Sequence, residues 1–263
     1  MVTLATALAA GATVVALAFT LALGDRWLAR RRRHERAWLV SMALFTIASG
    51  ALWWGAGIGW SPLAFRCFYL FGAILNVPWL ALGTVELLAG ERWGRPLGRV
   101  LAVASGFAAG VVLESPLRGP VRRDGLPAGR DVFGPLPRVL AGVASGVATL
   151  VLVGGALWSA WRLWRVGARR RTRSAASSMP ADVAPAIAPR RLAAGNVLIA
   201  LGTLILGASG TLNARLGAAR AFAVTLTVGV VVLFAGFLVA TSASTRNPRS
   251  SVAPWLTDAL DAA

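Results

Sequence analysis

Residues 3 to 36 read TLATALAAGATVVALAFTLALGDRWLARRRRHER. Positions 3 to 23 carry no charge, and at about 1.5 Å per residue they make a helix of about 31 Å, the depth of the hydrocarbon core of a bilayer. Arg26 and the cluster Arg30, Arg31, Arg32, Arg33 and Arg36 follow this run, and no basic residue precedes it. A cleaved secretory leader carries its charge on the other flank. The stretch therefore predicts a retained transmembrane helix with its N-terminus outside and its arginine end in the cytoplasm.

Six more apolar runs follow. The second, about 37–58, returns outward and ends near Trp53, Trp54 and Trp60. The third, about 63–88, comes inward to the short loop GERWGRPLGR, and the fourth, about 98–114, goes out. A loop of about twenty residues carrying Pro116, Pro120, Pro127, Pro135 and Pro137 resists regular structure. The fifth run, about 138–161, ends among Trp158, Trp161 and Trp164. The basic, then Ala-, Ser- and Pro-rich stretch 166–191 reads as a flexible cytoplasmic loop. The sixth run, about 192–212, and the seventh, about 220–241, lead to a cytoplasmic tail, 242–263. The fold expected is an all-α membrane protein, a seven-transmembrane-helix bundle with its C-terminus inside.

Composition agrees. Of 263 residues 57% are hydrophobic, and the mean hydropathy is +0.67, too apolar for a soluble domain. All 27 basic residues are arginine. In the expected topology nineteen of them are cytoplasmic and eight external, and inverting the chain would invert that ratio. A pI near 12.0 would suggest nucleic acid in a soluble protein. Here the arginines lie between apolar runs, so the partners to expect are anionic lipid headgroups at the cytoplasmic face, with room for a membrane-protein partner and no nucleic acid. The lack of lysine, with so much Ala, Gly and Arg, points to a GC-rich bacterial genome and so to a bacterial cytoplasmic membrane.

One cysteine, Cys67, and one histidine, His34, give no metal site, no paired haem ligands and no iron–sulfur ligation. Retinal would need a lysine. No cofactor is expected. G-x-S-x-G, H-E-x-x-H, a phosphate loop and a calcium loop are all missing from the sequence, which points away from an enzyme.

Polar groups at membrane depth are costly and so informative. In the third run Tyr69, Gly72, Asn76 and Gly83 recur at helical steps, placing them on one face, and Asn76 near mid-membrane requires that face to meet protein. Pro78 withholds the amide that the carbonyl of Ile74 would use, bending the helix. In the sixth run Gly195, Gly202 and Ser209 form one series and Asn196, Thr203 and Gly210 the next. Thr203 is level with Asn76, so a polar seam between spans three and six is expected, with Tyr69, Asn76, Pro78, Asn196 and Thr203 as candidate ligand-binding residues. The first span adds Thr6, Thr13 and Thr20, and RVLAVASGFA in span four resembles RVLAGVASGVA in span five. At the outer interface Arg66 and Glu114 are placed to pair.

The reading that follows is a non-enzymatic sensor, ligand-binding or accessory membrane module built on that seam. A small-molecule permease is the alternative, fitting the proline-broken span and weakened by the lack of a central charge. A membrane enzyme acting on lipid-linked substrates at an interface comes third.

Overall fold

A backbone deprived of water must satisfy its own amides, and in a run of uncharged residues the helix does so locally. The computed structural model describes residues 4–119, 121, 125–176, 194–195, 197–207 and 219–242, and every regular element among them is helical. These are α1 (Leu4–Arg30), α2 (Arg33–Gly57), α3 (Pro62–Cys67), a π-helical stretch (Phe68–Leu75), α4 (Asn76–Ala89), α5 (Glu91–Glu114), α6 (Gly129–Val132), α7 (Pro135–Ala176), α8 (Val197–Gly207) and α9 (Ala219–Ser242). Five segments are long and apolar enough to cross a membrane: Thr6–Arg30, Arg33–Gly57, Pro62–Ala89, Glu91–Glu114 and Pro135–Ser159. The chain thus has the build of a multi-pass membrane protein.

The turns follow local chemistry. Between α1 and α2, Arg31 takes φ 52°, a left-handed conformation that costs a non-glycine residue about 1 kcal/mol. Its amide bonds Trp27 O at 2.7 Å and its guanidinium lies over the Trp27 ring, 5.1 Å from the centroid. Ser61 caps α3 by accepting from Ala64 N at 3.1 Å, with Pro62 at the first helical position. Gly90, at φ 76°, makes the turn from α4 to α5, where a side chain would be strained.

Three boundaries differ from the sequence expectation. GERWGRPLGR is helical from Glu91, because Pro96 comes early in α5 and forfeits a single bond near its start. The helix of span five runs on to Ala176, eleven residues into the stretch read as flexible; 177–191 lies outside the described residues, as does the tail from 243. The proline-rich loop between α5 and α7 is folded down onto the bundle: Arg118 N bonds Val132 O at 3.0 Å, and Phe133, Val132 and Pro127 are buried.

Span three, Pro62–Ala89, sits among α2, α5 and α7. On the other side of α2, α1 presents Ala9, Ala12 and Ala16, all nearly inaccessible. Its threonines lie along α2: Thr6 donates to Ala56 O at 3.1 Å, and the Thr20 and Thr46 hydroxyls are 3.0 Å apart. α1 also carries α9, through Phe19 on Phe234 at 4.7 Å. α8 meets α9 glycine to backbone. A Cβ at Gly202 would lie 2.7 Å from Leu233 N, and one at Gly236 would lie 2.8 Å from Ile199 N. The small series of the sixth run is thus a packing face for the seventh.

Candidate functional site

Span three changes helix type where the sequence is most polar. From Phe68 to Leu75 it is π-helical, and the Asn76 amide bonds Phe71 O, five residues back. Pro78 has no amide to offer Ile74, four residues back, or Ala73, five back. A neighbouring helix meets the second need: Ser145 Oγ of α7 donates to Ala73 O at 2.6 Å. Gly72 supports the wide turn, since a Cβ there would be 3.1 Å from Ala48 Cβ of α2.

Asn76, 4% exposed, finds its partner on α2. Ser41 Oγ, itself inaccessible, lies 2.7 Å from Asn76 Oδ1 and 2.9 Å from Asn76 O, its one proton shared between them. On the third side Trp79 Nε1 donates to Ser105 Oγ of α5 at 3.2 Å. Serines of three different helices thus grip the middle of span three. Ser105 and Ser145 are the equivalent serines of the two look-alike stretches in spans four and five, so that resemblance marks a shared role in packing.

The seven-residue step from Tyr69 to Asn76 crosses the π-helical stretch, where each turn takes in an extra residue, so the two no longer share a face. Tyr69 belongs instead to an aromatic cap at the α3 end of span three. Phe133, wholly buried, stands 4.9 Å from the Tyr69 ring and 5.5 Å from Phe65, and a Cβ at Gly129 would be 2.6 Å from the Tyr69 ring. The Val-Phe pair at 132–133, apolar within a proline-rich loop, was the sequence signal of this cap. Arg66 does reach span four, but through Ser115 O at 2.9 Å. Among the described residues no ion pair joins it to Glu114, which is exposed. The end of α5 leaves carbonyls without helical partners, and a guanidinium at that level satisfies one while the carboxylate stays with water.

Thr203 is 2% exposed and donates to Ile199 O in its own helix at 2.8 Å; Asn196 lies outside the described residues. The partner of Asn76 is therefore Ser41 of α2, and the hydroxyl of Thr203 is spent within α8. Span three and α8 come together instead toward the α5 end of span three, at a small cleft of about 20 Å³. Thr84, Leu87 and Leu88 of α4, Trp38 of α2, Leu152, Gly155 and Ala156 of α7, and Ile199 and Ala200 of α8 line it. Gly155 seats α7 there, a Cβ at that position meeting Leu88 Cδ1 at 3.0 Å and Thr84 Cγ2 at 3.1 Å. The Trp38 indole fills the space beside Gly83.

Beside the cleft lies a charged layer whose pairings the sequence did not show. Glu35 is 1% exposed, with Oε1 3.3 Å from Arg26 and Oε2 buried without a hydrogen-bond partner. Glu91 joins the α1–α2 and α4–α5 turns, 3.6 Å from Arg33 Nε and 2.7 Å from Arg95. Glu86 packs against Gly94 of α5. Among the described residues no group of three His, Cys, Asp or Glu side chains is placed to hold a metal ion. Compared with known protein families, curated proteins and solved structures, the chain matches none of them.

Proposed function

We propose that this chain is a seven-span module of a bacterial cytoplasmic membrane, N-terminus outside and C-terminus inside, that binds an apolar ligand between spans three and six and acts as a sensor or accessory subunit without chemistry of its own. α8 and α9 would supply the sixth and seventh spans, and the arginine distribution supports the orientation. The observation that carries the binding reading is the cleft lined by Trp38, Thr84, Leu88, Leu152, Ala156 and Ala200, where helices from four parts of the chain converge on a concave apolar surface. A membrane-delivered fatty acid bearing a diazirine should label peptides containing Leu88, Leu152 or Ile199, and Ala156→Phe should remove that labelling. Label spread evenly over the outward faces of α5 and α7, with none in the cleft, would end the reading.

The π-helical, proline-broken third span favours the permease reading as second, since interrupted helices are where transporters place their substrates. In proteoliposomes a permease would move the cleft's ligand between leaflets; the module proposed here would not.

A further inference from the structure

α5 is a helix of two characters. Its first nine residues, ERWGRPLGR, hold three arginines, and the fourteen from Val100 to Leu113 hold no charge. One side is turned to the bundle: Gly94 meets Glu86, Gly98 meets Leu82, Ser105 takes the Trp79 indole N–H, and Ala108 and Val112 are buried. At about 100° per residue, Arg92, Pro96, Arg99 and Val103 fall on the opposite side, and all four are exposed. Arg95 stands within about 60° of Arg92 and Arg99, so the three arginines form one stripe.

The stripe runs into the hydrocarbon. A Cβ at Gly98 would lie 3.6 Å from Leu82 Cδ2, and Leu82 is six residues past Asn76, at the middle of Pro62–Ala89. Arg99 thus leaves α5 about 9 Å from mid-span, inside the half-thickness of about 15 Å of a hydrocarbon core. The charge-free part of α5 is correspondingly short, about 21 Å against about 30 Å. A guanidinium that faces lipid from that depth stretches toward the headgroups, which brings it beside Arg95 and Arg92.

Three permanent cations in one stripe need an anion, and the protein supplies too little. Glu91 is shared between Arg33 at 3.6 Å and Arg95 at 2.7 Å. Glu35 holds Arg26, and Glu86 lies on the bundle side of α5 against Gly94. Among the described residues no ion pair reaches Arg92 or Arg99. Trp93 and Leu97, exposed beside the stripe, and Val100, Val103 and Phe107, exposed beyond it, are the border and bed that a headgroup and its chains require.

We infer that this outer face of α5 binds an anionic phospholipid, its phosphate drawn toward Arg99 and flanked by Arg92 and Arg95, its chains along Val100, Val103 and Phe107. The site is independent of the cleft. A phosphate accepts guanidinium N–H groups in pairs, and the uncompensated charge selects a net negative head over a zwitterionic one. Each arginine near the surface adds about fivefold to its retention.

The test is native mass spectrometry of the detergent-solubilised full chain, titrated with dioleoylphosphatidylglycerol and with dioleoylphosphatidylcholine. The wild type should retain one phosphatidylglycerol at least about tenfold better than phosphatidylcholine, and Arg92→Gln combined with Arg99→Gln should bring the two within about twofold. Glu91→Gln, which removes the carboxylate competing for Arg95, should raise phosphatidylglycerol retention about fivefold. Arg130→Gln removes an exposed arginine at the α3 end of the bundle, paired with Asp131 at 3.4 Å, and should leave the lipid ratio as it is. Equal retention of the two lipids by the wild type overturns the inference, as does a ratio that the double variant leaves unchanged. A ratio that falls as far in Arg130→Gln shows a response to net charge alone and overturns the site. Far-UV circular dichroism and gel filtration establish that each variant is folded. Should the double variant not fold, Glu91→Gln decides, and unchanged retention there overturns the inference.

Discussion

At the scale of single residues, the cost of each polar group depends on what surrounds it. Glu35 is sealed from water with one oxygen on Arg26, whereas both ion pairs of Glu91 are exposed. Glu35→Ala should lower stability by about 3 kcal/mol, the range for stripping one member from a buried pair, while Glu91→Ala should move it by less than about 1 kcal/mol. Unfolding in detergent measures both, and equal effects would contradict the burial. Asn76→Leu and Ser41→Ala should each cost about 1 kcal/mol. A double-mutant cycle between them should show coupling, and the cleft photolabel should be unchanged in either. That Asn76 and Pro78 needed help from a neighbouring helix was legible in the sequence, because an amide and a freed carbonyl cannot face hydrocarbon. Which neighbour was not legible. Ser41 and Ser145 are ordinary serines in apolar runs, and nothing local marks them as the ones that point at span three.

At the scale of elements, the apolar runs gave the helices and most of their ends, because length and hydropathy are read residue by residue. The π-helical stretch was hidden, since phase is assumed whenever a seven-residue step is used, and a wide turn between Phe68 and Leu75 cancels the alignment of Tyr69 with Asn76. The glycine series of the sixth run was visible, but its partner face could belong to any other span. Ser145 serves a carbonyl that Pro78 cannot, so the two positions are linked energetically. Ser145→Ala should cost about 1 kcal/mol in the presence of Pro78 and less when Pro78→Ala supplies an amide; strict additivity would show that the serine acts elsewhere. Gly202 faces the backbone of Leu233, which cannot yield as a side chain can. Gly202→Val should force α8 from α9 and lower stability by about 2 kcal/mol, whereas Gly207→Val, in open space, should be nearly silent.

At the scale of the whole molecule, the proposed seven spans, which would put nineteen arginines inside, predict a definite sidedness. With Cys67 replaced by Ser, a cysteine at Gly125 should react with an impermeant maleimide in intact cells, and one at Ser177 only after the membrane is opened; the reverse pattern would invert the topology. The three-sided grip on span three also bears on how the chain is made. Ser41 precedes Asn76 in the sequence and is in place when span three arrives, whereas Ser105 and Ser145 have not yet been synthesised. Until the ribosome has delivered α7, the Ala73 carbonyl has no hydroxyl to meet it, and a nascent chain arrested before Pro135 holds its third helix by two sides only, through Ser41 and Ser105. Assembly of the bundle is thus completed from the fifth span backwards, and protease protection of span three should rise when chains are released beyond residue 160 and not before.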